Sequence, residues 1–202
     1  MAQTNPITFH GHSIFEVASA FQKAFRRGLE QDALHWGVEL ELSGYGEYAW
    51  KRMRIILSED IGLANPTLPA TIHALYETYQ FLKKKGDEKN KPERLQFIHA
   101  ILLLVRSPKS RIVDHALICA YENHKKIDIP EYAYCKHTLQ GKRMGRGFDH
   151  FFKEAAKLNN EADLPDLYRD EAREILIEKE GRAKTDKDSQ LFNVDEFTNE
   201  VE

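Results

Sequence analysis

Pro92-Glu-Arg-Leu-Gln-Phe-Ile-His-Ala-Ile-Leu-Leu-Leu-Val-Arg-Ser107-Pro108 decides the fold class. Proline suits a first helical turn, where its missing N–H costs nothing. Apolar residues then recur at Leu95, Ile98, Leu102 and Val105, the spacing of a helix face and not of a strand. The segment is apolar over more than one stripe, which predicts a helix near the centre of a core. The run Ala100 to Val105 is far short of the roughly 20 residues that cross a bilayer. Ser107-Pro108 reads as the cap and first turn of the next helix.

The same period extends in both directions. Ser13 and Glu16 give a capping box for a helix over 14–29, with Val17, Phe21, Ala24 and Phe25 inward. A second helix covers 32–42, with Ala33, Trp36, Gly37 and Leu40 on one side and Ser43-Gly44 as its stop. A third runs over 47–60 with Trp50, Met53 and Leu57 inward. A fourth runs from Asn65-Pro66 to about residue 84, with Ile72, Leu75, Tyr79 and Leu82 inward. After Ser107 a sixth helix follows, with Ile112, His115, Ala116 and Cys119 inward and His115 as a core histidine. Further on, Gly141–Gly147 reads as a basic loop, 148–158 as a short helix and 165–180 as a last amphipathic one with Leu167, Tyr168, Ala172, Ile175 and Leu176 inward. Six Val stand against 20 Leu, and no segment alternates apolar with polar residues as a half-buried strand does. The expectation is an all-α fold of roughly seven to nine helices in one domain over 10–180. An acidic, disordered tail is expected at 181–202.

Composition narrows the function only a little. The 202 residues are 42% hydrophobic and 30% charged, which fits a globular chain. The N-terminus has no basic stretch followed by an apolar one, so no secretory signal is read. Two cysteines make neither a disulfide framework nor a four-cysteine zinc site, and point to a reducing cytoplasm. Residues 1–158 carry 23 basic and 18 acidic side chains, while residues 159–202 carry 6 and 14. A mildly basic body permits an anionic partner without demanding one.

Catalytic signatures are missing from these residues: there is no G-x-x-x-x-G-K-[ST], no H-E-x-x-H, no Glu-x-x-His pair and no G-x-S-x-G. The reading is therefore of a non-enzyme with no cofactor and no metal. The loop from Cys135 to His150 is the local exception. Its Lys142, Arg143 and Arg146 lie among three glycines, flanked by His137 and His150. Glycine lets backbone N–H groups approach an anion, and arginine grips phosphate with two parallel bonds. Two readings stay open beside a plain tight loop: an anion or nucleic-acid contact helped by Lys51, Arg52 and Arg54, and a metal- or nucleotide-dependent enzyme centred on His137 and His150. His10-Gly11-His12 reads as part of a flexible N-terminus and only weakly as a metal ligand set. Ser58-Glu59-Asp60 places two acids at the negative end of a helix, where the dipole disfavours them. Such a breach marks a site or carboxylates paired elsewhere.

Ala49-Trp-Lys-Arg-Met-Arg-Ile-Ile-Leu-Ser-Glu-Asp-Ile-Gly-Leu-Ala-Asn-Pro66 resembles the R-R-L-x-R-x-x-S-E-D-I-G-L-A-D-P segment of the replication-associated recombination protein A family, also called MgsA. Leu103-Leu-Val-Arg-Ser-Pro-Lys-Ser110 is similar to that family's A-x-A-P-K-S-N, and Asp32-Ala-Leu-His-Trp36 to its D-A-A-L-Y-W. The motif positions are Ser58, Glu59, Asp60, Asn65, Ser107, Pro108, Lys109 and Ser110. The resemblance covers residues 20–118 and leaves 119–180 as a divergent helical extension. It implies the C-terminal helical domain of a clamp-loader-like AAA+ ATPase, standing without its motor. In that family the domain mediates tetramer assembly, and the full protein acts at stalled replication forks. The resemblance therefore implies an assembly or adaptor module linked to replication or repair. Its partners would be a second copy, as dimer or tetramer, or a separate AAA+ ATPase, with DNA contact possible and no membrane.

Overall fold

The computed structural model describes residues 6–87 and 89–185. Among them every regular element is helical, and β pairing is limited to one isolated bridge between Ile7 and Ser13. The all-α expectation holds. The chain gathers into two compact units, Met1–Lys125 and Lys126–Glu202, where the sequence led us to expect one domain over 10–180. Each unit is described by itself.

The first unit opens with a tight turn, not with a flexible arm. Thr8 N–H donates to His12 O at 2.8 Å, and Ile14 N–H to Pro6 O at 3.1 Å. This turn starts α1 (Ile14–Arg27), and Ser13 makes no side-chain cap bond, so the expected capping box does not form. Gly28, at φ 69°, ends the helix in the left-handed conformation that glycine adopts without a Cβ clash. The chain then reverses into α2 (Glu30–Leu42), which lies along α1 and also against α5 (Glu93–Arg106). Small residues on α2 make that double contact possible. A Cβ on Gly37 would sit 2.6 Å from Ile101 Cδ1 and 2.9 Å from Phe21 Cε2.

Trp50 on α3 (Gly46–Ile56) centres the core. Its ring lies 5.4 Å from Tyr79 of α4 (Leu68–Lys85) and 5.8 Å from Phe97 of α5, and all three are buried. Burying one such side chain contributes about 1.5–3 kcal/mol. That cluster sets the rotation of α5 and corrects the expected one. The buried positions are Phe97, Ala100, Ile101, Leu104 and Val105, while Leu95 is 72% exposed and Ile98 and Leu102 are half-buried. A helix apolar on two stripes offers two faces, and the partner for an aromatic ring selects between them.

The third helix does not run regularly to residue 60. After Ile56 the backbone widens into a π-helical turn, Leu57–Ile61, followed by Gly62 at φ 48°. Ser107 also differs from expectation: it closes α5, donating its hydroxyl to Leu103 O at 2.7 Å, and starts nothing. The next helix, α6 (Ile112–Glu122), begins only after a short irregular link, and none of its residues is buried.

The second unit holds a 3-10 turn (Glu131–Ala133), α7 (Leu139–Arg143), α8 (Phe148–His150) continuing as a π-helical turn (Phe151–Ala155), and α9 (Arg169–Thr185). The expected 141–147 loop thus begins inside a helix. Leu167 and Tyr168, expected on the inner face of the last helix, precede α9 and are exposed. Residues 181–185 of the expected tail are helical, because α9 runs to Thr185; the remainder, 186–202, lies outside the described residues.

Candidate functional site

The acidic triplet at the end of α3 is a joint between helices. Asp60 is fully buried. Arg26, from α1, donates Nε to Asp60 Oδ1 at 2.7 Å, and Nη2 to Asp60 Oδ2 at 3.3 Å and to Glu59 Oε1 at 2.7 Å. Gln22 Nε2 donates to Glu59 Oε2 at 2.8 Å, and Arg52 Nη2 to Gln22 Oε1 at 2.7 Å. Arg111 reaches Glu59 Oε1 at 3.4 Å and pairs with Asp114. Both carboxylates at the unfavourable helix end are neutralised by neighbouring arginines, and all four oxygens have donors.

The second matching motif closes the same joint from the other side. Lys109 Nζ donates to Leu104 O and Val105 O at 3.0 Å each, and to Ser107 O, covering the carbonyl end of α5. Burial lowers the Lys109 pKa, against the charge of Asp60, which raises it. Ser110 N–H donates to Asp60 O at 2.9 Å, and Asn65 Nδ2 to Ser107 Oγ at 3.3 Å. Glu59, Asp60, Asn65, Ser107, Lys109 and Ser110 therefore meet in one network, with Ser58 and Pro108 exposed at its edge.

The residues proposed for anion contact are placed differently from one another. Arg146 is turned inward: its guanidinium donates to Glu131 O at 2.9 Å and Tyr134 O at 2.5 Å and pairs with the Glu131 carboxylate. It organises its own loop. Gly141 is buried where a Cβ would lie 1.9 Å from Cys135 O, so it is glycine for lack of space. Gly147 makes room for Glu180, whose Oε2 accepts from Phe148 N–H at 2.8 Å. His137 packs edge-on against Phe151, with Nδ1 3.5 Å from Cys135 Sγ. His150 Nδ1 is shielded from solvent without a hydrogen-bond partner among the described residues. Lys142 and Arg143 are exposed. Among the described residues no group of three or more His, Cys, Asp and Glu is arranged to hold a metal ion. Of the helper cations on α3, Arg52 is bonded to Gln22, Arg54 lies 3.7 Å over the Tyr76 ring, and Lys51 is exposed.

What the sequence reading missed is the face of α6. Ile112, Leu117, Ile118 and Tyr121 are 54%, 56%, 50% and 79% exposed. His115, expected in the core, is exposed too. The helix is apolar on every side, so its spacing gives no phase, and the inner face expected at Ile112, His115, Ala116 and Cys119 is exposed. Contiguous exposed apolar side chains are uncommon on a monomer surface and commonly mark contact surfaces.

Comparison with known proteins places these observations. The family model described as MgsA AAA+ ATPase C terminal matches residues 29–187, so it also takes in the 119–180 stretch read from the sequence as a divergent extension. The chain is 32% identical over 146 residues to Replication-associated recombination protein A of Bacillus subtilis, covering 69% of this chain and 32% of that one. It is 31% identical over 117 residues to an uncharacterised AAA domain-containing protein of Mycobacterium tuberculosis, covering 57% of this chain and 24% of that one. The chain thus spans about a third or less of the length of these relatives. No helix of the described residues is long and apolar enough to cross a membrane.

Proposed function

Because the chain belongs to the MgsA AAA+ ATPase C-terminal family, we propose that it is a non-catalytic assembly module in which α6 packs against a second copy of the chain. The observation that carries this reading is the exposure of Ile112, Leu117, Ile118 and Tyr121 on a helix with no buried residue. Covering the exposed half of one such side chain is worth about 1 kcal/mol, so association needs several of them paired across the contact. The polar joint at Glu59–Asp60 supports the same view, since its charges are spent on holding helices together. One of these relatives is a replication-associated recombination protein, and we extend that setting to this chain as an adaptor role at replicating or recombining DNA. A separate ATPase is the alternative occupant of the α6 face. The free thiols of Cys119 and Cys135 accord with a reducing cytoplasm.

Light scattering at several protein concentrations tests the assembly. The wild-type chain is expected at two or four times its 23.4 kDa mass. Ile118→Asp buries a charge in the contact and raises the dissociation constant by at least about 30-fold, or ~2 kcal/mol. Its thermal melt measured as a monomer stays unchanged, because Ile118 is half exposed within one chain. A wild-type chain that remains a monomer at high concentration contradicts the proposal.

A further inference from the structure

The positive charge of the first unit is gathered at the tip where α4 turns into α5. Residues 1–125 hold 16 Lys and Arg against 14 Asp and Glu, while residues 83–94 alone hold six against three. The rest of the unit is therefore slightly negative. Some of the tip's charges are committed internally. Lys83 is shared between the Tyr79 hydroxyl at 3.4 Å and Glu47 at 3.8 Å. Asp87 accepts from the backbone and side-chain N–H groups of Asn90 at 3.0 Å each. Lys84, Lys89 and Lys91 are exposed, and their side chains make no hydrogen bond or ion pair among the described residues.

An aromatic ring lies beside these cations. Phe81 is 58% exposed one turn before the helix ends, and Lys85 Nζ stands 4.4 Å from its centroid. The ring edges a shallow groove of about 450 Å³ lined by Glu77, Gln80, Phe81, Lys83 and Lys84. Gln80 is held by Glu47 at 2.6 Å, which fixes that wall. Glu77 is the acidic member of the lining and repels phosphate, so a polyanion has to follow the Lys84–Lys85 side.

We propose that this tip binds single-stranded nucleic acid, with a base stacked on Phe81 and the backbone phosphates on Lys84 and Lys85. Lysines alone fit any polyanion, but an exposed phenyl ring among them fits one that carries free aromatic faces. A duplex hides those faces. The site is separate from α6, so its test stands or falls independently of assembly.

The experiment is fluorescence anisotropy of the full 202-residue chain with a labelled oligothymidylate of about 16 nucleotides, titrated across a salt series. We expect binding at low salt that weakens as salt rises. Lys84→Gln with Lys85→Gln lowers affinity and flattens the salt slope by about 1.4, the share of two phosphate contacts on a single strand. Phe81→Ala weakens binding about 5- to 160-fold and leaves the slope unchanged. All three positions are exposed, and unchanged melts of the variants confirm their folding. Lys142→Gln with Arg143→Gln is the comparison pair and leaves binding intact. Absence of binding at low salt, equal affinity for a duplex of matched length, or loss only in the comparison pair overturns the proposal.

Discussion

Glu39 is a carboxylate on the inner side of α2, 3% exposed, and its environment explains why it is tolerated there. Burial pushes its pKa up, but bonds from the Thr8 hydroxyl, the His10 N–H at 2.9 Å and the His10 ring at 2.6 Å outweigh that and hold it at about 2. The carboxylate pins the N-terminal turn to α2, a role that the reading of His10 to His12 as a flexible arm did not foresee. A carboxyl with its folded pKa below the unfolded 4.5 adds stability that is complete above pH 4.5. That stability is lost as pH falls toward 2, so urea midpoints should decline over this window in the wild type. They should decline less in Glu39→Gln, which itself costs about 1–3 kcal/mol at neutral pH. Equal declines in both proteins contradict this account of Glu39. Lys109→Ala uncovers the carbonyl end of α5 and leaves part of the Asp60 field unbalanced. A loss of about 1–3 kcal/mol in urea denaturation is expected.

At the scale of elements, the helices were legible wherever one face was apolar and the other polar. α1 met that condition, and Val17, Phe21, Ala24 and Phe25 are buried as their spacing indicated. α5 and α6 did not. Both are apolar around most of their circumference, so the period fixes the helix but not its rotation. The ring of Phe97 beside Trp50 decided one case, and no described residue of the first unit buries the other. The π-helical turn at Leu57–Ile61 was invisible for a different reason: it answers the need to aim Glu59 and Asp60 at Arg26, a tertiary requirement. Gly37 shows how tightly α2 is held. Alanine favours a helix by about 1 kcal/mol over glycine, yet the added methyl meets Ile101 and Phe21 inside contact distance. Overpacking costs about 1–3 kcal/mol, so Gly37→Ala lowers the melting temperature. A rise would show that α1, α2 and α5 have room to separate.

At the scale of the molecule, what could be read early was the resemblance in Trp50–Pro66 and Leu103–Ser110, and both stretches proved to be the joint that sets α3, α5 and α6 together. The Cys135–His150 loop drew attention for its glycines and cations, yet Gly141, Arg146 and Gly147 serve the loop's own geometry. Residue type alone does not separate a charge turned outward from one turned in. Among the described residues of the first unit, Ile112, Leu117, Ile118 and Tyr121 of α6 stay exposed, and a second copy of the chain is the cover proposed for them. Cys119 lies exposed on that helix and gives a direct reporter. In a Cys135→Ser background, a short bismaleimide should link Cys119 to its counterpart and yield a covalent dimer, and Ile118→Asp should abolish that product. An oligomer by light scattering that gives only singly modified monomer, or linkage that persists in Ile118→Asp, would place the interface elsewhere and contradict the account.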